Sequence, residues 1–103
     1  MTRWCDHRIT FTLDRDIGDS RVFITFRQNG RVICEYSSSD AAVLIDGDTV
    51  TLSMSPDDTQ LFSPSFATVQ LNLLTDGMRQ ATEVMRLPVY DNLCSRSLKG
   101  VGA

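Results

Sequence analysis

Val69, Leu71 and Leu73 alternate with Gln70 and Asn72, a period of two that fits a strand with one buried face and one wet face. Thr75-Asp76-Gly77 follows, and Asp-Gly after such a run marks a chain reversal. Beyond it Met85, Leu87 and Val89 alternate with Arg86, Pro88 and Tyr90. Proline inside a strand pattern is tolerated mainly at a sheet edge. Ala67 to Val89 therefore predicts a hairpin with one core strand and one outer strand. A helical stripe of Met78, Ala81 and Met85 competes with the second arm, but Pro88 and the tight turn before it favour a strand.

The rest of the chain obeys the same period. Ile9, Phe11 and Leu13 alternate with Thr10 and Thr12, predicting a first strand over Arg8 to Leu13. Asp14 to Ser20 is polar and contains glycine, so it reads as a surface loop. Val22, Ile24 and Phe26 then alternate before Gln28-Asn29-Gly30, and Asn-Gly between two β-rich runs accepts the positive φ of a type I′ turn. The return strand is Arg31 to Tyr36. After Ser37 to Asp40, the segments Ala42 to Ile45 and Thr49 to Met54 pair about Asp46-Gly47-Asp48.

At Ser55 the period changes. Ser55 is suited to cap a helix, Pro56 to occupy its first position, and Asp57 and Asp58 to lie in its first turn. A short helix near residues 56–62 would carry Leu61 and Phe62 under the strands. In all, about seven short strands with turn signals every eight to twelve residues describe an all-β, antiparallel, immunoglobulin-like β-sandwich. The cysteine and tryptophan spacing of antibody domains is missing. Residues 1–93 form one domain on this reading, with 94–103 a flexible tail whose Gly100 and Gly102 show no period.

A chain of 103 residues suffices for one two-layer core. The expected core holds Ile9, Phe11, Val22, Ile24, Phe26, Val50, Leu52, Val69, Leu71 and Leu87, each worth about 1.5–3 kcal/mol when fully buried. Ten Lys and Arg against 13 Asp and Glu give a net charge of -3, without a basic block in the sequence. Nucleic acid is therefore not expected as a partner. Apolar runs fall short of membrane-spanning length, so no membrane partner is expected either. Cys5, Cys34 and Cys94 are odd in number and form no C-x-x-C pair, which suits a reducing cytoplasm.

Chemistry has little to work with. Asp6 and His7 are adjacent, so along a strand they face opposite ways and read as an exposed polar pair rather than a dyad. Asp46-Gly47-Asp48 and Asp14 to Asp19 offer oxygen ligands without EF-hand spacing. Ser37, Ser38 and Ser39 lack a nucleophile frame, and Cys34 sits inside a strand pattern. No enzyme activity and no cofactor are expected. Contact residues are easier to nominate. Trp4 precedes the first strand in a short arm, as an interface anchor or, the favoured alternative, folded back over one end of the sandwich; Pro88 marks a sheet edge, and Tyr36 and Tyr90 are further aromatic candidates for an interface.

The motif order RITFTLDRDI, VFITFRQNGRVICE, DGDTVTLSMSPDDTQLF and VQLNLLTDGMRQATEVMRLPVYDNL resembles small immunoglobulin-like proteins of tailed phages and prophages of Gram-positive bacteria. In plan it is similar to the N-terminal domain of upper baseplate proteins. The resemblance covers residues 7–93 and implies a virion component of a tail, baseplate or head decoration. Such a protein docks to other phage structural proteins in several copies or as a homo-oligomer, and resides in the virion, with the host cytoplasm its site of assembly. The competing expectation is a carbohydrate-binding β-sandwich for host-surface attachment, with Trp4, Tyr36 and Tyr90 as sugar platforms. A prophage-encoded regulator that binds a host protein is the third.

Overall fold

In the computed structural model, which describes residues 1–93, the two most regular alternations meet side by side. The tail and Cys94 lie outside the described residues. The strands are β1 (His7–Thr12), β2 (Arg21–Gln28), β3 (Arg31–Ser37), β4 (Val43–Asp46) and β5 (Thr49–Met54), then β6 (Phe66–Thr75), β7 (Met78–Ala81) and β8 (Met85–Pro88). One helical turn, α1 (Pro56–Thr59), stands between β5 and β6. The register of β2 on β6 pairs Val22 with Leu73, Ile24 with Leu71 and Phe26 with Val69, placing three pairs of apolar side chains in the core. Burial of such pairs fixes register, because a slip of one residue would turn every one of them to water.

Two antiparallel sheets result. The smaller has the order β1-β5-β4; the larger has β3-β2-β6-β7, with β8 also paired to β6. The chain changes sheet after β1, β3 and β5, so the larger sheet occupies the position of strands C′, C, F and G of an immunoglobulin-like sandwich, and the smaller that of B, E and D. Between the layers Phe11, Val50 and Leu52 face Val22, Ile24, Phe26, Val69 and Leu71. Phe26 sits at the centre, its ring edge-on to Phe62 at 5.7 Å and to Tyr36 at 6.2 Å. Ile9 and Leu87 line the margin, half-buried.

Local chemistry accounts for the connections. Asn29 and Gly30 have φ of 54° and 75°, and Asp76 and Gly77 have 51° and 79°, the paired positive values of type I′ turns. Ser55 Oγ accepts from Asp58 N at 3.3 Å, with Pro56 opening the helix. That helix is shorter than its expected span. It ends at Thr59, and Leu61 is 51% exposed while Phe62 is buried. Both residues lie beyond the helix, in the turn that carries Phe62 inward against Phe26 and leaves Leu61 facing out.

The outer arm of the final hairpin also differs from its expectation as one strand. Thr82 interrupts it: its N–H donates to Leu71 O at 2.9 Å, and its Oγ1 accepts from Leu71 N at 3.1 Å. A side chain thus takes a backbone position in the ladder, and Glu83 and Val84 leave the sheet between β7 and β8. The count becomes eight strands among the described residues.

The loops segregate by end. Those between β1 and β2, β4 and β5, and β6 and β7 are tied together by Leu13 N to Asp48 O at 2.8 Å, Ile17 N to Gly47 O at 3.0 Å, and the Ser20–Thr75 hydroxyl pair at 2.6 Å. The opposite end holds α1 and the N-terminal arm. There Thr59 Oγ1 donates to Cys5 O at 2.9 Å and Arg3 Nη2 to Gln60 O at 3.0 Å.

Candidate docking face

The four residues nominated from sequence fall into two settings. Pro88 and Tyr90 lie beside the N-terminal arm: Met1 N donates to Pro88 O at 2.8 Å, Tyr90 N to Met1 O at 2.8 Å, and Arg3 N to Tyr90 O at 2.9 Å. Thr2 and Tyr90 form a parallel bridge, so the arm covers the edge beyond β8. Trp4 follows in a positive-φ turn of 63°, half-buried, its indole Nε1 sealed from water without an acceptor among the described residues. Of the proposed sugar platforms, only Tyr90 is well exposed, at 60%.

Tyr36 lies elsewhere. It is opposite Ile24 on the inward side of β3, and its hydroxyl donates to Asp58 Oδ2 at 2.9 Å. Burial, with Cys34 and Asp58 nearby, pushes its pKa well above the usual phenol range. Burial likewise raises the Cys34 thiol. The three rings do not share one face. His7, expected to be exposed, is half-buried opposite Met54; its Nε2 is sealed without a partner among the described residues, and burial followed by the N-terminal ammonium lowers its pKa.

A different set converges on the outer face of the larger sheet. Arg21 is opposite Leu74, and Leu74 is opposite Arg79, making one row across β2, β6 and β7. Arg27 is opposite Thr68, and Thr68 opposite Arg86, making a second across β2, β6 and β8. In each row the arginines are two strand spacings apart, about 9.5 Å at the backbone, and the rows are separated by about 20 Å along β6. Phe23, Thr25, Gln70 and Asn72 fill the ground between them.

All four arginines are exposed, yet each is held by an uncharged neighbour. Arg21 stacks over Phe23 at 5.5 Å and Arg86 over Phe66 at 4.1 Å. Arg27 Nη2 donates to Gly30 O at 3.0 Å, and Arg79 Nε to Asn72 Oδ1 at 3.2 Å. Stacking and carbonyl contacts orient a guanidinium without cancelling its charge. The ion pair among the described residues is Arg3–Asp91, outside this face. Glu35 is the acid within the face, and it accepts from Thr25 Oγ1 at 2.9 Å.

The surface between the rows is scalloped. A half-open groove of about 400 Å³ runs beside Thr25, Arg27, Phe66, Gln70 and Val84, and another of about 330 Å³ beside Phe23, Glu35, Asn72, Leu74 and Arg79. Phe66 and Val84 are 55% and 58% exposed. Arginine, aromatic and aliphatic side chains with few competing acids are the composition that protein interfaces favour. The smaller sheet presents another chemistry outward, the hydroxyls of Thr10, Thr12, Thr49, Thr51 and Ser53 beside Arg8 and an exposed Leu44.

Sequence reasoning missed this face because the arginines are spread from residue 21 to residue 86. The available signal was phase. Arg21, Arg27 and Arg86 occupy the wet phase of their strands, but only the register of β2, β7 and β8 on β6 aligns them.

No protein-family model matches the chain, and no curated protein matches it. Among solved structures, the V domain of amphioxus IgVJ-C2 is similar to it, at 12% identity over 87% of this chain and 95% of that one, with a TM-score of 0.41. The immunoglobulin-like sandwich is defined here by strand order and register.

Proposed function

We propose that this chain is a non-enzymatic docking protein of a phage virion, a structural or adaptor component of a tail, baseplate or head decoration. It binds acidic surfaces of neighbouring structural proteins through the outer face of the larger sheet. The two arginine rows carry this reading, because four oriented and un-neutralised guanidinium groups supply both steering and contact. The phage setting rests on the resemblance of residues 7–93 to small immunoglobulin-like phage proteins. Its place of work is then the particle, and the host cytoplasm during assembly.

The test is to purify particles after prophage induction in a host that encodes the chain, then analyse them by mass spectrometry and immunogold labelling. The chain should co-purify with intact particles at a fixed stoichiometry. Particles that lack it would end the virion reading.

A further inference from the structure

We infer that the arginine face of one copy takes the acidic loop end of a second copy. This deepens the docking reading above, on which it rests, by naming the partner. The loop end gathers Asp14, Asp16, Asp19, Asp46, Asp48 and Asp76, all exposed, from the three connections that hydrogen bonds hold together. Ile17, fully buried, anchors the longest of those loops, so these carboxylates sit on fixed backbone. Arg15 is the cation among them, and it donates to Gln80.

Charge is unevenly spread on one small body: Arg21 and Arg79 border the loop end, two and three residues from Asp19 and Asp76, while Arg27 and Arg86 form the cationic row away from it. The face offers four arginines and one glutamate, and the loop end offers six aspartates and one arginine. Opposite surfaces of this kind attract over about a Debye length, roughly 10 Å at 0.1 M salt. Because a sheet face meets a loop end, the contact is heterologous: repeated, it closes into a ring or runs on as a filament. Nucleic acid fits less well. One face of each of Phe23 and Phe66 is already taken by an arginine, and a net charge of -3 opposes a polyanion as a whole.

Sedimentation velocity and light scattering of the chain alone test this. In about 0.02 M salt the mean mass should rise with concentration, and in about 0.5 M salt it should return to that of one chain. Arg27→Glu with Arg86→Glu should require at least about tenfold more protein to associate. Asp46→Arg with Asp48→Arg should do the same. Mixing the two variants should restore association, since each then meets an opposite charge on the other; a misfolded variant cannot be rescued so. Arg27→Ser with Arg86→Ser, checked by circular dichroism, repeats the loss without reversed charge.

A single-chain mass at every salt and concentration would overturn the inference, as would association indifferent to these substitutions, a mixture that stays monomeric, or assembly only on adding a DNA duplex. Such a failure leaves the particle experiment to judge the docking reading separately, because the face could then serve another acidic protein.

Discussion

Gln28 illustrates how one side chain can join distant parts of the chain. It reads from sequence as the approach to the Asn29-Gly30 turn, yet it is 4% exposed. Its Nε2 donates to Ser63 O at 2.7 Å, and its Oε1 accepts from Ser63 N at 2.7 Å, clamping the segment after α1 to the end of β2. Gln28→Leu keeps the volume but removes both bonds to Ser63. It should cost about 1–3 kcal/mol, seen as a lower urea midpoint with an unchanged slope. His7 belongs to the same scale. Its folded pKa is depressed below the ordinary 6.5, so folded and unfolded chains both hold it neutral at higher pH, where it contributes no pH dependence. Below about pH 6.5 the unfolded chain takes up the proton first, so stability should fall with acidification. His7→Gln should flatten the difference in unfolding free energy between about pH 7 and pH 5.5; an unchanged slope would show that the imidazole carries none of it.

At the scale of elements, alternation was the legible part. Val22, Ile24 and Phe26, with Val69, Leu71 and Leu73, announced β2 and β6 and the buried face of each. Turns were equally open to reading where Asn-Gly or Asp-Gly supplied positive φ. Gly77→Ala at φ 79° should lower stability by about 1–2 kcal/mol through backbone strain alone, because open space surrounds the added carbon. A thermal scan with unchanged spectra checks it. The break between β7 and β8 was not legible. It depends on Thr82 reaching Leu71, a tertiary contact that local propensity does not encode. The same holds for Leu61, whose exposure follows from where Phe62 must go to meet Phe26.

For the whole molecule, sequence gave the class of fold and left the candidate face hidden. Trp4, Pro88 and Tyr90, contact candidates from the sequence, lie around a short N-terminal arm that bridges past β8. The arginine rows arise only when β2, β7 and β8 dock on β6, so no stretch of sequence displays them. Their test as a functional surface is occupancy in the particle. The variant with Arg21, Arg27, Arg79 and Arg86 all changed to serine should fold with a melting temperature within about 5 °C of the parent, since exposed substitutions of this kind shift stability little. A control altering Thr10 and Thr51 to serine on the opposite sheet should assemble as the parent does. Particles grown with the fourfold variant should carry less than about a tenth of the normal amount of this chain. Full occupancy by a folded fourfold variant would show that the arginine rows are not the docking surface.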